Sequence, residues 1–376
     1  MTDHPPVPLN DDEPAARRKV RSRGARNPFI WGLNLLLSVA FFSACLFAAL
    51  FWYGAQQFDA SGPLQAKATF TVPSGASFSS ITPGLEEAGI IPEQGPMRVF
   101  TRGVQAAGQA ARLKAGEFAF EPGMSMRQVM QQLTDGRAIE YSLTFPEGLT
   151  TYQMMERIAF SKDLSGPLPE VPAEGTLQPN TYSFPRGFER KKLVARMAAA
   201  QRDALLTAWE SRADDLPLDT PEQMLTLASI VEKETGIASE RPRVAAVFIN
   251  RLRKNMRLQT DPTIIYGIWG GKGKPSDRGG LRRSEIDRET PYNTYQIRGL
   301  PPGPIASPGK ASLEAVANPP TSDELYFVAD GTGGHVFGRT LEEHNANVRK
   351  WRGIEAQRAK DAAAAAAEGD GEGASN

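Results

Sequence analysis

The sequence is poor in the residues that hold disulfides, metals and nucleotides. It has one cysteine, Cys45, in 376 residues, so no intrachain disulfide can form and the core must supply the stability in an oxidising compartment. Of its three histidines, His4 lies in the polar N-terminal segment. His335 and His344 lack metal-ligand spacing, so a structural or substrate-contact role fits them better. No Gly-x-Ser-x-Gly elbow surrounds Ser229, which argues against a serine hydrolase. No dinucleotide or phosphate-cradle fingerprint occurs, even in the Gly/Lys-rich loop from Gly270 to Gly280. Lysine plus arginine number 43 and aspartate plus glutamate 43, which removes any whole-protein case for nucleic-acid binding.

What is present is ample for folding. Hydrophobic residues make up 40% and charged residues 23%, and the length accommodates two domains with appendages. Residues 1–28 are polar and then basic (Arg17, Arg18, Lys19, Arg21, Arg23, Arg26), with too little apolar surface to fold, and read as a disordered tail. Phe29 to Tyr53 is almost wholly apolar and, at about 1.5 Å per residue, spans a bilayer core of about 30 Å. Trp31, Trp52 and Tyr53 sit where interfacial aromatics belong, and the preceding basic run places the N-terminus in the cytoplasm. A cleaved signal has a shorter apolar region, and a lipoprotein would not stay apolar for eight residues past Cys45, so the stretch reads as an uncleaved anchor.

A three-fold internal pattern follows: Val72-Pro-Ser-Gly75-Ala-Ser77, Phe120-Glu-Pro-Gly123-Met-Ser125 and Phe145-Pro-Glu-Gly148-Leu-Thr150. Each copy predicts a strand, a Pro/Gly turn and a helix capped by the Ser or Thr two residues after the glycine. Apolar residues six and ten places beyond the glycine (Ile81 and Leu85, Val129 and Leu133, Met154 and Ile158) mark the inner face of each helix. Such units also occur as packing modules without a ligand. Glu174 to Gly187 reads as an ordered loop, and Phe188 to Asp215 as an amphipathic helix using Leu193, Met197, Leu205 and Trp209.

The stretch around which the chain is organised is Thr220-Pro-Glu-Gln-Met-Leu-Thr-Leu-Ala-Ser-Ile-Val-Glu-Lys-Glu-Thr-Gly236. Thr220 is a good N-cap with Gln223 completing a capping box, Pro221 suits the first helical position, and Gly236 suits a left-handed stop. Apolar residues point almost all round the axis, so the helix is expected to be buried. Its last turn carries Glu232 and Glu234, where the helix dipole disfavours negative charge. Desolvation and dipole together predict raised carboxyl pKa values, as a general acid requires. Glu-Lys-Glu at a helix end is ordinarily a solvated tip. The two acids lie on opposite sides of the helix, so periodicity does not choose between them.

Beyond it, Arg241 to Leu252 shows helical spacing, and Leu258 to Gly267 holds Gln259, Thr260, Asp261 and Tyr266. Pro291-Tyr-Asn-Thr-Tyr295 and Gly299-Leu-Pro-Pro-Gly-Pro-Ile305 are turn-forming, Leu325 to Ala329 and His335 to Gly338 form a hairpin, and a last helix runs from Leu341 to Trp351. Residues 351–376, an Ala run with a Gly/Glu/Asp/Ser end, read as a disordered tail.

The strings Leu227-Ala-Ser-Ile-Val-Glu-Lys-Glu-Thr235, Val247-Phe-Ile-Asn-Arg-Leu252, Met256-Arg-Leu-Gln-Thr-Asp-Pro-Thr263, Tyr292-Asn-Thr-Tyr295, Gly299-Leu-Pro-Pro-Gly303 and Tyr326-Phe-Val-Ala-Asp330 together resemble the YceG-like family, the endolytic murein transglycosylases. The resemblance implies an α+β protein with a single N-terminal transmembrane helix (29–53), a LysM-like subdomain (65–140) and a catalytic domain (141–350). It implies cleavage of peptidoglycan glycan strands outside the cytoplasmic membrane without a cofactor, with peptidoglycan synthases as candidate partners; a hydrolytic muramidase and a non-enzymatic glycan-binding or divisome-scaffold protein on the same anchor are the alternatives. It makes the first glutamate of the Glu-Lys-Glu string, Glu232, the catalytic acid. Asn250, Gln259, Asp261, Tyr292, Asn293 and Tyr295 become candidate sugar contacts. One position departs from the pattern: the family commonly has an acid where this chain has Asn180, within Pro179-Asn-Thr-Tyr182.

Overall fold

The computed structural model describes residues 28–372. The expected N-terminal tail therefore lies outside the described residues except for Pro28, as do the last four residues. The protein mixes helix and sheet, and divides into two compact units. Residues up to Lys114 with Phe118–Arg137 form the first, and Ala115–Glu117 with Ala138 onward form the second.

The first unit opens with helix α1 (Pro28–Asp59), six residues longer at its C-terminus than the apolar stretch requires. Among the described residues it is the one helix long and apolar enough to cross a membrane, with a mean hydropathy of 2.3. Its apolar side chains are exposed up to Tyr53, whereas Phe58 is buried beside Phe100, at 6.5 Å between ring centroids. Gly103 makes this approach possible, because a Cβ there would stand 2.5 Å from the Phe58 ring. Asp59 pairs with Arg127, so the helix end is tied to the folded unit.

The first two copies of the internal pattern build the rest. Strand β1 (Ala68–Val72) leads to α2 (Phe78–Glu87), α3 is Val99–Ala106, and β2 (Gly116–Phe120) leads to α4 (Met126–Thr134). Strands β1 and β2 form a two-stranded sheet. Ser77 and Ser125 cap their helices as expected, each within a full capping box. Ile81, Leu85, Val129 and Leu133 are buried at 0–4% exposure, so the inner-face reading holds.

The third copy opens the second unit: β3 (Glu140–Thr144), then α5 (Thr151–Phe160) capped by Thr150. The segment expected as a loop contains a strand. Strand β5 (Thr181–Pro185) pairs antiparallel with β3, placing Leu143 opposite Tyr182. Its signal was the alternation of Tyr182 and Phe184, both buried, with exposed Thr181 and Ser183. Short β4 (Leu164–Ser165) runs parallel to β6 (Phe188–Glu189), so the long helix α6 begins two residues late and spans Arg190–Glu210. Phe145, Met154, Ile158, Tyr182, Phe184, Leu193 and Met197 form one core cluster. Two-stranded sheets are marginal alone, and packing on α5 and α6 stabilises this one.

A second cluster is helical. It joins α7 (Pro221–Glu234), α8 (Arg241–Arg253) and α11 (Lys310–Ala317). In α7, every residue from Met224 to Val231 is buried. Thr220 accepts from the Gln223 backbone N–H at 3.3 Å, while the Gln223 side chain accepts from Asp219 N rather than from the cap itself. The expected stop at Gly236 is not used. The helix ends into extended Thr235, whose hydroxyl accepts from Ile237 N at 3.0 Å. Thr220→Ala should cost about 1 kcal/mol, read as a lower urea midpoint with unchanged slope.

Helices α9 (Asp261–Trp269) and α10 (Arg283–Ile286) flank the Gly/Lys-rich loop. The C-terminal hairpin is β7 (Tyr326–Ala329) with β8 (His335–Gly338), Phe327 opposite Phe337, and its residues are mostly half-buried rather than buried. The last helix, α12 (Leu341–Glu372), does not stop at Trp351. The segment expected to be disordered continues it as far as Glu372, since an alanine run has the highest helix propensity and no proline precedes it in the helix.

Candidate functional site

The two acids of α7 diverge as helical geometry requires. Glu232 has a side chain only 5% exposed, which rules out a solvated tip. Its Oε2 accepts from the Gly309 backbone N–H at 2.9 Å and from Ser312 Oγ at 2.7 Å. Gly309 is the N-cap of α11 and Ser312 lies in its first turn, so the carboxyl sits at the N-terminus of a helix other than its own. Its Oε1 lies 3.8 Å from Arg241 Nη2, at the start of α8. The positive end of α11 and a guanidinium thus face a group expected to see only the negative end of α7.

The turn of the third repeat closes the site. Gly148, at φ +75°, accepts from Lys233 Nζ at 3.2 Å, and a Cβ there would lie 3.7 Å from Glu232 Cγ. Gly148 N–H donates to Ser307 O, and Ser307 N–H to Leu149 O, stitching the turn to the segment before α11. Glu147 in this turn has a 47% exposed side chain, and its Oε2 is 3.9 Å from the same Arg241 Nη2. The cluster therefore opens to solvent on the Glu147 side. Burial and then the Glu232 carboxylate push the Glu147 pKa up, with Arg241 pulling it down.

Glu234 faces the other way. It accepts from Thr260 Oγ1, near Asp261, His335 and Arg251. Lost solvation raises its pKa above the ordinary carboxylate value, the Thr260 hydrogen bond opposing. A carboxyl whose pKa is higher folded than unfolded binds its proton more tightly in the native state. Stability then falls as pH rises from the unfolded value, near 4, through the folded one. Glu234→Gln should accordingly raise the unfolding temperature at pH 7 and leave it unchanged below about pH 4. Equal melting temperatures at both pH values would refute this.

The candidate sugar contacts divide. Tyr295 OH donates to Asp261 Oδ1 at 2.8 Å, and exposed Gln259, at φ +50°, donates its N–H to Thr294 O. Tyr292 packs against Tyr266 at 4.9 Å between ring centroids, and Tyr266 OH donates to Glu174. Asn293 is fully buried and its amide donates to the carbonyls of Ile286 and Arg288. Asn250 donates to the carbonyls of Ser322 and Glu324. These two amides hold backbone in place. Asn180 Oδ1 accepts from Thr181 N at 2.7 Å at the start of β5, a bond that a carboxylate would accept equally.

Other polar residues have contacts within the fold. Ser229 Oγ donates to Thr226 O and accepts from Ile305 N. His335 Nδ1 lies 2.7 Å from Glu240, and His344 stacks on Tyr326. Among the described residues no His/Cys/Asp/Glu group is arranged to hold a metal. Arg241, Glu147 and Ser312 escaped the sequence reading. For Glu147 a signal existed: the residue before the turn glycine is Ser74, Pro122 and Glu147 in the three copies, so only the third is acidic.

A model of the YceG-like family matches residues 70–350. The endolytic murein transglycosylase of Bacillus subtilis is 31% identical over 311 residues, covering 74% of this chain and 83% of that one. That of Streptococcus pneumoniae is 30% identical over 326 residues, covering 74% of this chain and 57% of the longer relative. A 2.6 Å crystal structure of a yceG-like protein from Listeria monocytogenes is 30% identical, with a TM-score of 0.45 and coverage of 74% of this chain and 98% of that one. With most of its length matched and these relatives alongside, the chain belongs to the YceG-like family.

Proposed function

We propose that the chain is a membrane-anchored lytic transglycosylase that cuts peptidoglycan glycan strands between N-acetylmuramic acid and N-acetylglucosamine, leaving 1,6-anhydro ends and limiting strand length. The observation that carries this reading is the Glu232 carboxyl, sheltered from bulk water where α7, α8, α11 and the 145–149 turn meet. The names of the Bacillus and Streptococcus relatives support the substrate class.

Glu232 donates its proton to the glycosidic oxygen as the bond to the muramic acid anomeric carbon breaks. The electron pair leaves on that oxygen, which takes the proton and becomes the free hydroxyl of N-acetylglucosamine. The Glu232 carboxylate then takes the proton of the muramic acid's C6 hydroxyl, whose oxygen bonds to the anomeric carbon. No water is consumed and Glu232 ends protonated, as it began. Gly309 N–H and Ser312 Oγ fix one carboxyl oxygen throughout, leaving the other for the proton. Tyr295, Asp261, Gln259 and Tyr292 are the sugar contacts in this reading.

A hydrolytic muramidase is the second reading, favoured by one observation: Glu147 supplies a second carboxyl beside Arg241, and ordinary glycosidases use two. Mass spectrometry of the products of purified peptidoglycan decides. Anhydro ends support the transglycosylase, and reducing ends overturn it.

In the same proposal α1 is a single inner-membrane span with a cytoplasmic N-terminus and periplasmic units. The basic run before it and its hydropathy support this orientation. The short β1–β2 sheet with its helices supports a LysM-like, glycan-binding role for the first unit. Peptidoglycan synthases are the protein partners such a position would offer.

A further inference from the structure

The site holds two carboxyls on one guanidinium. Arg241 Nη2 lies 3.8 Å from Glu232 Oε1 and 3.9 Å from Glu147 Oε2. Neither distance is a hydrogen bond, so the cation is suspended between two acids. Gly309 brings the acids together a second time. Its N–H bonds Glu232, while its bare Cα faces Glu147, where a Cβ would stand 1.7 Å from Glu147 Oε1. The chain thus leaves room at Gly309 for the Glu147 carboxyl, and the Gly148 turn holds the rest of that residue against α7.

We propose that Glu147 is a positioning residue for the reaction of Glu232: by holding one side of Arg241, it keeps that cation from closing onto the acid. This rests on the transglycosylase reading above. The physical reason is a competition. Arginine and a carboxylate at hydrogen-bond distance form a strong, often bidentate pair, and a carboxylate locked in such a pair has no proton to give. With a second carboxylate competing for the same Nη2, Arg241 stays at ion-pair distance from both. Arg241 sits in a buried setting, its side chain 9% exposed with Nε unpartnered, so small shifts of the guanidinium weigh heavily. The groups facing Glu232 are Arg241 from α8, Glu147 and Gly148 from the turn, Gly309 N–H and Ser312 Oγ from α11, and Lys233 from α7, whose ammonium is held by Gly148 O.

The test is the pH–rate profile of the full-length protein on purified, uncrosslinked peptidoglycan strands, scored by anhydro ends. Glu147→Gln removes the charge and keeps the shape. It should lower kcat about tenfold at neutral pH, leave KM within about twofold, and move the alkaline limb about one unit to lower pH. Glu147→Asp, which keeps the charge, should keep the limb. Gly309→Ala is the second variant, needed if Glu147→Gln fails to fold. Its Cβ displaces the Glu147 carboxyl while the N–H to Glu232 remains, and it should move the limb the same way. A wild-type limb in Glu147→Gln or Gly309→Ala, or a change confined to KM, overturns the proposal. If the wild-type protein forms no anhydro ends, the transglycosylase reading itself has failed. If it forms them and the limb does not move, only the role of Glu147 has.

Discussion

Glu232→Gln should abolish the formation of anhydro ends, by roughly 10²- to 10⁴-fold in kcat, the usual worth of a positioned acid/base. The amide is isosteric with the carboxyl. Its oxygen can accept from Gly309 N–H and Ser312 Oγ as Oε2 does now. What it lacks is a transferable proton. Substrate binding should survive, because the candidate sugar contacts lie on the 259–261 and 292–295 segments and not on α7. Stability should change by about 1 kcal/mol or less, because Glu147 still faces Arg241 and the amide oxygen keeps both hydrogen bonds, whereas Glu232→Ala should unfold the protein more easily by also leaving the Gly309 N–H and the Ser312 hydroxyl without their acceptor. The measurement is product analysis with a melting curve on the same sample. A glutamine variant that keeps a tenth or more of wild-type activity would remove Glu232 from the mechanism.

That Glu232 and Glu234 could be singled out from the sequence owes much to local signals, whereas the choice of Glu232 came from the family resemblance alone. Caps and turns are short-range, and Ser77, Ser125, Thr150 and Thr220 all take the cap positions their spacing demands. The buried faces of α2, α4 and α5 follow from residues ten apart or fewer. The limits appear where structure depends on distant chain. Strand β5 finds β3 across some forty residues and has Pro and Gly on both sides, so its brief alternation was hidden in loop-like surroundings. Helix α11 was not anticipated at all. Its Lys-Ala-Ser-Leu-Glu-Ala-Val-Ala sequence buries Ser312, Leu313 and Ala315 to Ala317, and small residues blur the apolar stripe.

The site suffered most from this, since its electrostatics are long-range by construction. Glu232 could be read as a carboxyl at the wrong end of α7. That it reaches the right end of α11, some eighty residues later, could not. Arg241 looks like the ordinary first residue of an Arg-Pro helix start, and nothing local reveals that it turns inward. Glu147 is the exception, an acid in a repeat whose other copies have none at that place.

Phe248→Ala should separate the scaffold from the chemistry. Phe248 is 1% exposed in α8, in the cluster shared with α7 and α11, and meets Phe327 edge-on at 5.8 Å between centroids. Truncation removes a large aromatic from a packed core and leaves a void that rigid helices on two sides cannot close. The expected cost is about 3–5 kcal/mol, and a fall in Tm of roughly 10 °C for a unit of this size. None of the proton-handling groups changes, and Arg241 lies two helical turns away on the same element. At a temperature where the variant is folded, its kcat should stay within a few-fold of wild type. The two substitutions then give opposite patterns: Glu232→Gln keeps the melting temperature and loses the reaction, and Phe248→Ala keeps the reaction and loses the melting temperature. A Phe248→Ala protein that melts with the wild type would mean that α8 is not held by this core, and the seat of Arg241 beside Glu232 would need another cause.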